Sequence, residues 1–518
     1  MGIPALDYTP VDDIPTIAKR LRTTFNTHKT RPIDFRLAQL RKLYWSVKDH
    51  EAELLEANKL DLGRGTFEAS LVEIDWATND IVFVCKKLAK WMKDEKAPDI
   101  PFANSLVSPR IRKDPLGCVL VIGAYNFPVN LTLGPFIGAI AAGNTAVMKP
   151  SENAPNVAVV LQKIVESALD PSCFAVVQGA VAETSKLLDE KWDKIFYTGS
   201  ASVGTIIAKK AAETLTPVTL ELGGRNPAII TKNADIRLAA RRLLWGKTLN
   251  AGQVCISQNY TLIDREVLPV FVEEMKTALK SFYPNGVKTS PDFGRIVNNK
   301  QWTRLKKLLD ASKGQILIGG STDEKELYIE PTVLQVDSIH DSLITEESFG
   351  PLMPLLPVTD LSHAIRLATE VHPTPLGLYP FGTKPETDRV LRELRSGGAS
   401  VNDAFTHGTI PTLAFGGVGD SGQGAYRGKA SFDCFSHRRS ITSTPGWMER
   451  LLDVRYPPYE GKLAKLRMMS ELKPDFDREG RVRFGWVRWL TTLGAGSKTG
   501  ALVRYVVVFL GMFVFPPP

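Results

Sequence analysis

The chain has 518 residues, 43% hydrophobic and 23% charged, the balance of a soluble globular protein with room for two or three domains at about 150 residues each. Its five cysteines are scattered without a C-x-x-C pair, and its seven histidines show no paired metal-ligand spacing, which argues against a disulfide framework or a zinc site. Of the net charge of +8, all but one unit falls after residue 437, so the body carries no basic nucleic-acid surface.

In chain order, residues 1–8 lack both the basic and the apolar region of a signal peptide. Ile14, Ile17, Leu21 and Phe25 recur at helical spacing, as do Leu37, Leu40, Leu43, Tyr44 and Val47, so residues 11–60 read as packing helices. A third helix is expected over 67–93, with Leu71, Ile74, Ile81, Val84, Leu88 and Trp91 on one face. Residues 105–113 alternate loosely and predict a strand outside the main sheet.

From Gly117 the pattern changes. Residues 117–123 form a continuous apolar run, as expected for a strand buried on both faces. Residues 145–149, 174–178 and 194–199 repeat that pattern, with helices predicted over 133–142, 156–169 and 203–214. Strands alternating with helices call for a parallel sheet with right-handed crossovers. After residue 260 the alternation restarts, with helices predicted over 268–282, 301–312, 361–369 and 388–394. Apolar stretches lie between them at 315–318, 332–336, 352–358 and 377–382.

Several residues at strand ends carry chemistry. Cys255, in Asn250-Ala-Gly-Gln-Val-Cys255, reads either as a nucleophile or as a buried structural thiol. Glu221, in Leu220-Glu-Leu-Gly-Gly224, is a carboxylate placed to serve as its base. Asn126 follows a strand end and reads as an oxyanion donor or as an ordinary turn residue. Lys149 and Glu152 could bind the hydroxyls of a ribose or form a surface pair. Gly199, Ser200 and Gly204 open a helix after a strand, where backbone N–H groups can meet a phosphate. Parallel α/β sheets hold their ligands at the carboxyl ends of their strands, and the pieces are expected there.

Six motifs in order carry a resemblance: Lys149-Pro-Ser-Glu, Phe196-Tyr-Thr-Gly-Ser, Leu220-Glu-Leu-Gly-Gly, Gly252-Gln-Val-Cys, Glu346-Glu-Ser-Phe-Gly-Pro and Phe415-Gly-Gly-Val-Gly-Asp-Ser-Gly. The sequence resembles the aldehyde dehydrogenases from about residue 15 to about 445, and within them the class 3 branch that includes fatty aldehyde dehydrogenases. The resemblance implies an α/β fold with a Rossmann-type NAD-binding domain (1–95 and 114–221) and a second α/β catalytic domain (222–405). It also implies bridging segments (96–113 and 406–445) that dimerise the chain. It implies Cys255 as nucleophile, Glu221 as the base that hydrolyses a thioester, and Asn126 as oxyanion donor. Lys149 and Glu152 are then expected at the adenine ribose, Gly199, Ser200 and Gly204 near the pyrophosphate, and Glu347 and Phe349 at the nicotinamide ribose and ring. Glu152 favours NAD, with NADP possible. No metal is called for. Tyr125, Arg225 and Asp420 depart from the family's usual Trp, Lys and Asn.

The tail from 446 to 518 is basic and ends in an apolar run, 501–515, broken by Arg504. As a helix this run would be roughly 22 Å long, short of a ~30 Å hydrocarbon core. With Trp486 and Trp489 nearby and basic residues alongside, the tail reads as a membrane anchor or a hairpin built from 484–493 and 501–515. A buried helix capping the enzyme is the competing reading. A membrane-docked enzyme facing the cytosol, on the endoplasmic reticulum, the mitochondrial outer membrane or a lipid droplet, suits medium- to long-chain aliphatic aldehydes. Smaller or aromatic aldehydes, a coenzyme A-acylating reaction and a silent membrane scaffold are the alternatives.

Overall fold

The computed structural model describes residues 2–100, 102–470 and 474–482, together with Val503 and Val506. The chain forms two compact units, residues 1–95 with 111–439 and residues 96–110 with 440–518.

The first unit is built on two sheets. The six-stranded sheet runs, in spatial order, Gly422–Gln423, Val218–Leu222, Lys194–Gly199, Cys118–Ile122, Thr145–Lys149 and Phe174–Val176. All neighbours are parallel except the first pair. Apart from that antiparallel edge, the order in chain numbering is 3-2-1-4-5, a doubly wound arrangement whose direction reverses between Cys118–Ile122 and Lys194–Gly199. A crevice opens at such a reversal, outside the carboxyl ends of the strands. Cys118–Ile122 and Thr145–Lys149 are buried at every residue, as continuous apolar runs require.

Helices cover both faces. Ile14 and Leu21 of Ile14–Asn26 pack with Leu187, Trp192 and Ile207 on one side. On the other side Ile33–Asp49, Asp75–Trp91, Asn130–Ala142 and Pro155–Ala168 build a larger core. Asn130–Ala142 is buried on every face, and Gly138 lets it approach the helix Lys429–Cys434: a Cβ there would lie 2.7 Å from that of Ser431. Residues 406–439 belong to this unit. They supply the edge strand Gly422–Gln423 and the core side chains Tyr426, Phe432 and Phe435.

The seven-stranded sheet runs Gln315–Ile318, Thr332–Gln335, Leu352–Val358, Gln258–Asp264, Asn226–Ile230, Gly377–Phe381 and Gly398–Ala399. The periodic segments stand within a few residues of their expected bounds. One helix was not expected, and one expectation differs. The helix Val181–Asp189 buries only Glu183, Leu187 and Leu188, too sparse an apolar pattern to announce it. The stretch 105–113 is not one strand. It holds the end of a 3-10 turn, Phe102–Val107, and a strand, Arg110–Pro115, ordered between Glu95–Lys96 and Ser436–Ile441 in a three-stranded sheet. Proline at 109 and a positive φ at Ser108 end the turn and fix the start of the strand.

The second unit holds short helical turns, the helix Leu463–Ser470 and a small turn closed by Asp477 and Arg481. Trp447, Leu451 and Leu463 are exposed. The helices expected over 484–493 and 501–515 lie outside the described residues, apart from Val503 and Val506. Among the described residues no helix is long and apolar enough to cross a membrane.

Candidate active site

Asn126 follows the first strand of the six-stranded sheet, and its side chain is buried. Its carbonyl accepts from Arg64 Nη2 at 2.6 Å and from Asn250 Nδ2 at 2.7 Å. Its amide Nδ2 donates to the carbonyl of Gln253 at 3.1 Å. An amide nitrogen carries two hydrogens, so one remains for a further acceptor.

The thiol loop is reached through a turn, Leu249–Gly252, that departs from helical geometry. Asn250, Ala251 and Gly252 stand in succession at φ +50°, +49° and +74°. Left-handed backbone costs a non-glycine residue about 1–2 kcal/mol, so surrounding bonds must hold it. Gly252 has no alternative, because a Cβ there would lie 2.2 Å from the carbonyl oxygen of Gly350. Asn250 donates to Asn126 and Gln253, and Gln253 in turn donates to the carbonyls of Asn250 and Arg295. Beyond the turn, Asn226 Nδ2 donates to the carbonyls of Cys255 and Ser257, both at 2.8 Å, and the Tyr379 hydroxyl donates to that of Ile256.

Cys255 therefore stands before the amino end of Gln258–Asp264, not at the carboxyl end of a strand. Glu347 and Phe349 likewise precede Leu352–Val358. The site is formed where carboxyl ends of one sheet meet amino ends of the other, and only Asn126, Lys149, Glu152, Gly199, Ser200, Gly204 and Glu221 follow the carboxyl-end expectation. The reason lies in the path of the chain. The helix Ile236–Thr248 and the left-handed turn deliver the thiol before the strand begins.

Burial pushes the Cys255 thiol up to about 12, and Glu347 and Glu221 add to that rise, while the backbone N–H groups of Cys255 and Ile256 oppose it. Glu221, in the strand Val218–Leu222, is buried, and neither of its oxygens has a hydrogen-bond partner among the described residues. Burial alone holds its carboxyl well above the usual range. An unpartnered buried carboxyl is costly and marks a site of chemistry. Burial also pushes Glu347 up to about 7, with the Gly224 N–H (3.3 Å to Oε1) and the charges of Arg304 and Lys247 opposing. A Cβ at Gly223 would come within 2.4 Å of Glu347 Oε2, so glycine there leaves room for that carboxylate. Phe349, at φ +52°, meets Tyr125 edge to face with ring centroids 6.0 Å apart.

At the carboxyl end of Thr145–Lys149, Lys149 is buried and pairs with Glu152 at 2.7 Å. Ser200 caps the helix Ala201–Ala212, its hydroxyl accepting from the Val203 N–H at 3.4 Å. Gly204 lets that helix close on Leu222, whose Cδ2 would lie 2.8 Å from a Cβ. Val203 and Ile206 are exposed on the same helix, and the Thr198 hydroxyl is buried without a partner among the described residues. An ion pair, a helix N-terminus with an exposed apolar step and an unpartnered buried hydroxyl fit a dinucleotide.

A cavity of about 430 Å³ opens on Cys255, lined in part by Leu71, Trp76, Leu131, Trp245, Phe405 and Phe415. Arg427 stacks on Trp76 at 3.9 Å and donates to the carbonyls of Gly408 and Thr409, which fixes the wall. Sequence reasoning missed these wall residues. They come from the helical stretches 70–74, 75–91, 130–142 and 236–248 and from 405–427, and each side chain alone reads as ordinary packing.

The Aldehyde dehydrogenase family model matches residues 3–441. The chain is 52% identical over 517 residues to a beta-apo-4'-carotenal oxygenase of Neurospora crassa, covering 99% of this chain and 97% of that one. It is 41% identical over 461 residues to human aldehyde dehydrogenase family 3 member B1, covering 89% and 97%. Among solved structures, a substrate-bound AldH of Staphylococcus aureus matches with a TM-score of 0.85 at 39% identity, covering 89% of this chain and 99% of that one.

Proposed function

The chain belongs to the aldehyde dehydrogenase family and is an enzyme that oxidises aldehydes with NAD or NADP; from that premise we propose that its substrates are long, apolar aldehydes and its cofactor is NAD. The observation that carries the substrate reading is the aromatic and aliphatic cavity over Cys255. It buries hydrocarbon and leaves the aldehyde carbon at the thiol. The Neurospora relative is named for a carotenal, which favours a conjugated polyene aldehyde beside the saturated fatty aldehydes. Glu152, paired with Lys149, repels a ribose 2′-phosphate and supports NAD.

A bound oxidised nicotinamide supplies a positive charge and the acceptor for a hydride. Cys255 gives up its proton, and Sγ adds to the aldehyde carbon. The new oxyanion sits against the free hydrogen of the Asn126 amide and the Cys255 N–H, each donor being worth about 3 kcal/mol. Loss of the aldehyde hydrogen with its electron pair leaves a thioester on Cys255. Glu221 takes a proton from the water that attacks this thioester, and the acid departs as the thiolate reforms.

The presence of Glu221 speaks against transfer to coenzyme A. Acid formed from substrate and NAD alone supports hydrolysis, and a strict need for coenzyme A overturns it. The substrate reading is tested with saturated aldehydes of increasing length and a carotenal. The ratio kcat/KM should rise at least tenfold from short to long chains, and a flat or falling series contradicts it. We place the enzyme at a membrane through residues 484–518, and deleting them should move it to the soluble fraction with short-aldehyde turnover retained. The homodimer assigned to 96–113 and 406–445 is tested by sedimentation.

A further inference from the structure

One buried guanidinium joins the two loops that carry Asn126 and Cys255. Arg64 lies in the short link between the helices Glu51–Leu62 and Thr66–Ala69, and its side chain is fully buried. Its Nη2 donates to the Asn126 carbonyl at 2.6 Å, and its Nη1 donates to Glu73 Oε1 at 2.7 Å and to Asn58 Oδ1 at 2.9 Å. The guanidinium lies 5.0 Å from the ring of Phe127. Glu73 is also fully buried, and its other oxygen accepts from the Asn130 N–H at 2.7 Å, just beyond Asn126. Glu68 forms an ion pair with Arg64, 3.2 Å from Nε without a hydrogen bond, and accepts from the Asn250 N–H at 2.9 Å. That N–H begins the left-handed turn before the thiol.

A fully buried arginine with two nearby carboxylates is an expensive arrangement for a loop link. Glu73 is held by a π turn, Ser70–Ile74, inserted into the helical run. Such insertions are frequent at functional sites. Burial pushes the Glu73 carboxyl up to about 7 against the pull of Arg64, so desolvation is the dominant cost.

We infer that Arg64 is a positioning residue for the oxidation. Through the Asn126 carbonyl on one side and Glu68 and Asn250 on the other, it fixes the oxyanion amide relative to the thiol. This rests on the reading that Asn126 is the oxyanion donor. Fixing the donor within a fraction of an ångström is what the chemistry asks, since misplacement by 1 Å can cost about 100-fold. Lysine would keep the charge but cannot reach Asn126, Glu73 and Asn58 together with the planar fork of arginine.

The test compares two reactions of the same thiol in the full-length enzyme. Alkylation of Cys255 by iodoacetamide displaces iodide and develops no oxyanion. Aldehyde oxidation needs one. For Arg64→Lys, kcat for oxidation should fall about 10–100-fold. Alkylation should stay within about threefold of wild type, and NAD affinity should not change. Asn126→Ala should show the same split, and the double variant should be no slower than Asn126→Ala alone. If Arg64→Lys fails to fold, Glu73→Gln carries the same expectation at about 5–20-fold. Unchanged oxidation in Arg64→Lys, an equal loss of alkylation, or additive losses in the double variant overturns the inference. Unchanged oxidation in Asn126→Ala overturns the oxyanion reading instead.

Discussion

On one side of the proposed reacting centre, side-chain donors hold backbone carbonyls of the loops carrying Asn126 and Cys255. On the other, Glu221 extends a free carboxyl from an equally fixed strand. Asn226, Asn250, Gln253 and Tyr379 all spend side-chain donors on carbonyls in or next to these loops. The backbone of Glu221 is paired on both sides, with Thr198 and with Gly422, yet its two oxygens have no partner among the described residues. The contrast fits the roles proposed for these residues. A nucleophile and an oxyanion donor must be held in place before the reaction, because the stabilising dipoles gain most when they need no rearrangement. A base must take a proton from a water and release it again, so a permanent partner would hold it in one ionisation state.

The contrast can be broken at several points. On the stiff side the largest effect belongs to the thiol. Cys255→Ala should lower NADH formation at least 10⁴-fold with the fold intact by circular dichroism, where a nucleophile is typically worth about that much or more. Residual activity within tenfold of wild type would remove Cys255 from the chemistry. Asn126→Ala should cost about 10²–10³ in kcat, measured under saturating aldehyde. Tyr379→Phe removes only the hydroxyl that holds the Ile256 carbonyl. A loss of about tenfold in kcat is expected, the worth of one well-placed hydrogen bond, and no loss would show that the loop needs fewer restraints.

The smallest effect is on stability. His407 stacks on Phe415 in the wall of the cavity and bonds Ser400 at 2.8 Å. Burial lowers its pKa from 6.5 to about 4. Between those values the unfolded chain binds the proton and the folded chain does not, so stability falls as pH drops through that window. His407→Gln should flatten the dependence of unfolding free energy on pH between 6.5 and 4, by at most about 1.4 kcal/mol per unit.

How much of this was legible in the sequence depended on distance along the chain. Asn126, Lys149, Glu152, Glu221 and Cys255 sit in short motifs beside apolar strands, so local reading singled them out as candidates while leaving ordinary packing and turn roles open. The parallel sheet beside the crevice also followed from alternating strands and helices, though not its strand order. The side of the second sheet that holds Cys255 did not. Three successive left-handed residues redirect the chain there, and two of them, Asn250 and Ala251, are not glycine. Arg64 escaped for another reason. Its partners Glu73, Asn126 and, through Glu68, Asn250 lie from nine to nearly two hundred residues away, and no local pattern marks a link residue as buried. The cavity wall was hidden in the same manner, since Trp76 and Arg427 meet only in the folded chain.

The free carboxyl is the side on which the account stands. Burial raises Glu221, so it keeps a proton at pH values where an exposed glutamate has lost it, and thioester hydrolysis should quicken as pH rises and the group ionises. Glu221→Gln keeps the shape and removes the base. Mixing this variant with NAD and a long-chain aldehyde should give a burst of close to one NADH per active site. Turnover should then be slower by about 10²–10³, with no pH rise, and the quenched protein should carry one acyl group on Cys255. Steady turnover at the wild-type rate, or a burst with no acyl group on Cys255, would contradict the account.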